Sequence, residues 1–371
     1  LDNDHFCSTL PDMDTAVLKE LYSLANTIFA LNLEGLFFEE DFFAVTIPNE
    51  PTYYVTLGNG VMVANRGNRG VANFLEFLER EDTENELEFF DYQQAMTSLY
   101  SVLPFDGDEE PIEQDSEWAK QSGVSFEGTF APIFRSKNEY CLPTVITEAE
   151  AKTLIAIFRS ALALIGHLAD LKKKHPKHRA IAVWHDEVSG SSTERDFIPH
   201  LQVSDSTVKI TSLLFEPWEY EITFPTAQFK DAEDRRYYKT MKPKIGKVLY
   251  LVTGIFPAPV ASEKRGEAVF PVFYLLYDPQ DHLIRDMYML DEYERDYEEF
   301  FHRLLNTFDQ GLKPQAIHCY GRRTIPLLST VGPNMGVMIL EGQKSDELEE
   351  VIDDVLDHFL HSDFSEEGDE H

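Results

Sequence analysis

The chain has 371 residues, 43% of them hydrophobic, and its 66 Asp and Glu against 32 Lys and Arg leave a formal charge of −34. A surface so negative repels phosphate backbones at distances below the Debye length, which argues against nucleic acid as a partner. The apolar content suffices for a sizeable core, and the length suits two or three domains. Even the longest apolar stretch, Ala151 to Leu171, is broken by Lys152, Arg159 and Asp170, so no membrane span is expected. Cys7, Cys141 and Cys319 are odd in number and lack the paired spacing of a zinc or redox motif, which suits a reducing, cytoplasmic compartment. No charged-then-apolar leader pattern stands in Leu1 to Thr15.

From Asp14, an N-cap, apolar residues recur at Val17, Leu18, Leu21, Tyr22, Ala25 and Ile28, the stripe of an amphipathic helix. Phe42 to Ile47, Tyr53 to Leu57 and Val61 to Ala64 read as three antiparallel strands, the last two joined by an Asn59-Gly60 hairpin turn. A helix from Asn68 to Arg80 follows, then an acidic connection, a β-prone run from Met96 to Phe105, a short helix around Ile112 to Gln121, and a strand within Phe126 to Arg135. Thr147 with Glu150 forms a capping box ahead of a long apolar face from Leu154 to Leu168. That helix closes in the cationic stretch Lys172 to Arg179. Ala180 to Trp184, Thr207 to Phe215 and Tyr220 to Phe224 read as strands of a middle segment whose pairing is not legible.

In the last third, strands at Val248 to Phe256, Val269 to Tyr277 and Leu283 to Leu290 precede a helix from Glu292 to Phe308. Then come a strand at Ala316 to Tyr320, a helix at Arg322 to Thr330, a strand at Gly336 to Leu340 and a final helix at Asp346 to Leu360. This β-β-β-α-β-α-β-α order resembles that of the ribonuclease H-like fold. The first 150 residues read in nearly the same order, which suggests an old duplication. The expectation is an α+β protein of two mixed-sheet domains: residues 1–175, a β-rich middle segment over 176–244, and residues 245–371 with an acidic tail.

Asn32 to Gly70, Phe126-Glu127-Gly128, Pro132 to Ser136 and Pro143 to Ala151 resemble the N-terminal domain of an uncharacterised bacterial family. Phe270-Pro271-Val272 through Asp278-Pro279 to Leu290, and Gly311-Leu312-Lys313-Pro314, resemble that family's C-terminal domain. The resemblance implies a tandem architecture and no activity.

A nuclease on a ribonuclease H-like domain needs carboxylates on neighbouring strands to hold a pair of Mg²⁺ ions. Asp278 and Asp286 are the candidates, but Asp278 sits in an Asp-Pro-Gln-Asp turn, and the fourth strand ends in His318-Cys319-Tyr320, without an acid. Gly321-Arg322-Arg323-Thr324 and Arg66-Gly67-Asn68-Arg69-Gly70 each lead from a strand into a helix. Arg322, Arg323, Arg66 and Arg69 are therefore the candidate anion-binding residues, against the alternative that they pair with the abundant carboxylates. His175 and His178, with His185, Asp186 and His200, make a weak metal set, because five cations surround the first pair and Pro176 breaks its helix. Cys319 and His318 are strand neighbours on opposite faces and cannot form a dyad. No cofactor fingerprint is present.

The acidity is local. Glu76 to Glu117 holds 15 acids and one base, Glu341 to His371 holds 13 acids and one base, and the remaining 298 residues carry only −8. These blocks suit a basic protein partner or simple solubility. The sequence reads as a non-catalytic intracellular binding protein with a protein partner and no cofactor, the alternative being a metal-dependent nuclease or phosphodiesterase built on Asp278, Asp286 and a further acid that the sequence does not single out.

Overall fold

Asp14 Oδ1 accepts a hydrogen bond from the Ala16 amide at 2.7 Å and so starts α1, Thr15–Phe29, whose Leu18, Leu21, Tyr22, Ala25 and Ile28 are buried. The structure, a computed structural model, describes residues 13–38, 41–58, 60–79, 86–104, 111–126, 130–189, 197–204, 207–216, 222–262, 267–343 and 345–361. Outside the described residues lie Cys7, Asn59 of the hairpin turn, Glu127-Gly128, parts of the first acidic block and the acidic tail from 362. The chain forms two units: residues 1–76, 95–139 and 143–221, and residues 77–94, 140–142 and 222–371. It is an α+β protein with two mixed sheets.

In the first unit β1, Phe42–Thr46, β2, Tyr53–Gly58, and β3, Val61–Arg66, form the expected antiparallel meander. α2, Gly67–Glu79, follows directly, and α3, Glu86–Gln94, belongs to the second unit. β4, Ser98–Val102, α4, Glu113–Ser122, β5, Ile133–Lys137, and β6, Thr144–Val145, extend the sheet beyond β3. α5 is Glu148–Lys174 and α6 Ala180–Ser189; β7, Phe197–Ser204, and β8, Thr207–Leu214, complete a sheet of order β6-β5-β4-β3-β2-β1-β7-β8. Every pairing is antiparallel except β1 with β7.

The capping box is formed: Thr147 Oγ1 accepts from the Glu150 amide at 3.3 Å and Glu150 Oε2 accepts from the Thr147 amide at 2.9 Å. α5 is long and apolar enough to cross a membrane by length and composition alone, but Leu154, Ile157, Phe158, Leu164 and Leu168 are buried in the core against α1 and the sheet. Each such side chain contributes about 1.5–3 kcal/mol on full burial.

Ala180 to Trp184, read above as a strand, is instead the start of α6. Five apolar residues cannot decide between strand and buried helix. The Ala180 and Ile181 amides, orphaned at a helix start, donate to the carbonyls of Gly35 and Leu36 at 3.0 Å each. Residues 222–224 form no strand, and 220–221 lie outside the described residues.

In the second unit α7 is Ala232–Thr240, β9 Val248–Ile255, β10 Val260–Ser262, β11 Glu267–Val269, β12 Val272–Asp278 and β13 Leu283–Leu290. α8, Tyr293–Asp296, and α9, Glu298–Thr307, run into a wide turn at Phe308–Leu312; then come β14, Ala316–Tyr320, α10, Thr324–Leu328, α11, Val331–Met335, β15, Met338–Glu341, and α12, Asp346–His361. The sheet order is β13-β12-β9-β14-β15, with β12 antiparallel to β9 and β13, and β14 parallel to β9 and β15. Lys313, in the Gly-Leu-Lys-Pro stretch, is buried and donates to the Tyr238 and Met241 carbonyls at 2.6 Å each, closing the carboxyl end of α7. Burial pushes its pKa down.

The two halves do not repeat the same order. In the first unit the fourth strand, β4, joins β3 antiparallel, and the strand parallel to β1 is β7; in the second the fourth main strand, β14, lies parallel to β9.

Arg135, buried on β5, donates to both Asp115 oxygens of α4 at 2.7 and 2.6 Å. Asp115→Ala strands that guanidinium and should lower the unfolding free energy in urea by about 3–5 kcal/mol, whereas the double variant Asp115→Leu, Arg135→Met should recover most of the loss. Equal losses in both would contradict a paired buried charge.

Candidate functional site

β14 ends at Tyr320 between β9 and β15, and the chain turns through Gly321, Arg322 and Arg323 into α10. Gly321 adopts φ +87°, and a Cβ there would stand 1.9 Å from the Thr253 carbonyl oxygen, so only glycine fits. The Thr324 hydroxyl closes the turn by donating to the Gly321 carbonyl at 2.8 Å.

Arg323 is fully buried. Its Nη1 donates to Asp91 Oδ2, and its Nη2 donates to Asp91 Oδ1 at 2.9 Å and to the Tyr140 hydroxyl at 2.7 Å. The rings of Tyr140, Phe224 and Tyr293 stand 5.1, 5.2 and 5.6 Å from its guanidinium carbon. Burial opposes the charge, but the facing Asp91 carboxylate outweighs it and raises the pKa further. Arg322 lies 4.0 Å over the Tyr92 ring and 3.9 Å from Asp91. Asp91 and Tyr92 come from α3. The place where an external anion would bind holds the chain's own carboxylate.

The first unit has the same arrangement. Arg66 ends β3, and Gly67, at φ +64°, opens α2. Arg66 donates to Glu150 Oε1 at 2.6 Å, Ser136 Oγ at 2.9 Å and Asn138 Oδ1 at 3.2 Å, while Arg69 donates to Glu139 Oε1 at 2.6 Å. Glu150 thus serves both the α5 cap and Arg66. Burial would raise its pKa, but hydrogen bonds from Thr147 and Ser136 and the Arg66 charge hold it below the usual carboxylate range.

Asp278, at the end of β12, is fully buried, and the antiparallel pairing sets it at the edge where β9 and β14 begin, opposite the Gly321 turn. Lys247 Nζ reaches its Oδ1 at 2.6 Å, and Arg285 donates to its Oδ2 through Nε at 2.9 Å and Nη2 at 2.6 Å. Both cations also bind Asp281. Asp286 pairs across the strands with Leu276 and receives Arg303 Nε at 2.9 Å and Nη2 at 2.6 Å. The space a divalent ion needs is filled by cationic side chains. Among the described residues no group of three His, Cys, Asp or Glu is placed to hold a metal. His200 is on β7 with Nε2 2.9 Å from Thr46 Oγ1, and burial lowers its pKa.

The Cys319 thiol is buried, and its pKa is pushed up to about 12 by that burial, so it stays protonated near neutrality. A surface groove of about 350 Å³ between β13, α8 and α9 is lined by Tyr288, Leu290, Asp296, Glu298 and Glu299 among others. Two of its carboxylates are engaged in turn: Glu298 by Lys230, Asp296 by Arg295. Asp91, Lys247, Arg285 and Arg303 stand in no motif of the sequence, and only the fold brings them to their partners.

These observations define an α+β protein whose strand-end arginines and buried acids are tied to one another. Residues 19–183 match the family described as "Domain of unknown function (DUF7309)" and residues 217–356 the family described as "Domain of unknown function (DUF6930)", so the chain carries these two domains in tandem. The first match runs through 77–94 and 140–142, which pack in the second unit. No curated protein and no solved structure matches the chain.

For Asp278 burial raises the pKa, but the Lys247 and Arg285 hydrogen bonds outweigh it and hold the carboxyl below the usual range. Its contribution to stability is therefore present above the unfolded pKa, about 3.9, and is lost as pH falls through the lower folded value. Asp278→Asn should lower stability at neutral pH and flatten the dependence below about pH 4. An acid limb as steep as that of the parent would contradict this assignment.

Proposed function

We propose that this is a non-catalytic, cytoplasmic protein that works by binding another protein, and that its second unit is a degenerate ribonuclease H-like domain. The order β13-β12-β9-β14-β15, three antiparallel strands followed by two parallel ones with α9 leading from β13 to β14, supports the fold reading. The observation that carries the binding reading is the end of β14. An enzyme that positions metal ions wants an acid there and another on the neighbouring strand. This chain has Arg322 and Arg323, held by Asp91, and Thr253 on β9 beside Gly321. The two candidate acids, Asp278 and Asp286, are already neutralised by Lys247, Arg285 and Arg303. The acidic residues of α12 favour a partner with basic character.

Addition of millimolar Mg²⁺ or Mn²⁺ should leave the melting midpoint unchanged, and neither single- nor double-stranded DNA or RNA should be cut. Affinity capture from the native cell should recover a protein that survives nuclease treatment. Metal-dependent cleavage, or a midpoint that rises with metal, would contradict the reading.

A further inference from the structure

Parallel strands are normally covered on both faces. One face of β9, β14 and β15 is covered: Ile317 and Cys319 are buried in the core built with α9 to α11, and Ile339 packs against it. The other face is covered in part. α12 lays Leu348, Ile352 and Leu356 over Val252, Phe256, Phe273 and Leu275. The helix lies over β9 and β12: Glu347 near its start accepts from the hydroxyl of Tyr277 on β12 at 2.6 Å, and Phe359 near its end stands 6.2 Å from Phe256, just past β9.

Among the described residues, the same face continues beside α12 without a second helix. Cross-strand register puts Tyr250, His318 and Leu340 in one row, and Met338 is two residues before Leu340 on the same side. Met338 is 59% and Leu340 41% exposed, while Tyr250 and His318 are partly buried. β15 lies two strands from β9, about 10 Å, which is the spacing at which a second helix packs beside a first. The helix beside this face is strongly charged: α12 carries seven Asp or Glu and no Lys or Arg.

We propose that the groove between α12 and β15 receives an amphipathic, basic helix of a partner protein, its apolar stripe on Tyr250, His318, Met338 and Leu340 and its Lys or Arg residues facing the α12 carboxylates. The width fits one helix and the charge selects a basic one. This rests on the protein-binding reading above.

The test uses the full chain and a fluorescent Leu-Lys peptide of about five helical turns with all Leu on one face, compared by anisotropy with a scrambled peptide of equal composition and with a Leu-Glu counterpart. The facially amphipathic Leu-Lys peptide should bind at least about tenfold more tightly than either control, and Met338→Ser with Leu340→Ser should weaken it about tenfold with the melting midpoint retained. Equal binding of the scrambled or Leu-Glu peptide, no binding at all, or binding unchanged in the double variant would overturn the proposal. So would a dimer in sedimentation that the double variant abolishes, which would make a second copy the occupant. Metal-dependent cleavage defeats the binding reading whatever the peptide does; failed peptide binding without cleavage defeats this groove alone.

Discussion

The buried pair between Arg323 and Asp91 organises the second unit, because it joins residues 232 positions apart in the chain. A guanidinium taken wholly out of water is tolerable only if its charge is met, and both carboxylate oxygens of Asp91 with the Tyr140 hydroxyl meet it. Through that bond α3 is held at the end of β14. Phe90 of the same helix stacks edge-on to Phe270 at 5.5 Å, and the Phe270 amide donates to the Tyr140 carbonyl at 2.7 Å. The second unit therefore draws on residues 86–94 and 140–142 as well as on the C-terminal sheet.

The same physical rule recurs wherever the chain brings charge indoors. Arg135 has Asp115, Arg66 has Glu150, and Asp278 has Lys247 and Arg285. In each of these pairs a charge that chemistry could use is committed to a partner of opposite sign. A closed pair of this kind specifies a fold but leaves little differential interaction for a transition state. On the sheet face beside α12, exposed apolar side chains of β15 and the acidic residues of α12 belong to the same unit, and the proposed recognition surface is placed there.

What was legible in the sequence was local. The α5 capping box and its 3.6-residue apolar period could be read directly, as could the meander from β1 to β3 and the strands β9, β12 and β13. Where periodicity was short it failed: Ala180 to Trp184 has too few residues to separate helix from strand, and loop carbonyls at Gly35 and Leu36 decided the outcome. Pairing across distance was not legible either. Asp91 is one acid among 15 between Glu76 and Glu117, and nothing local in the sequence distinguishes it from the others. The choice between an anion site and internal pairing at Arg322 and Arg323 turned on that hidden partner. Likewise the β7–β8 hairpin joins the first sheet through a parallel contact with β1, which no turn signal announces.

The central claim is that the strand-end arginine serves the fold through its carboxylate. A double-mutant cycle with Asp91→Ala, Arg323→Met and the pair, followed by urea unfolding, measures it most directly. Each single change should lower stability by about 3–5 kcal/mol and the double change by no more than either, giving a large coupling energy. Additive, small losses with a coupling energy near zero would contradict the account and return Arg323 to the list of groups awaiting a ligand.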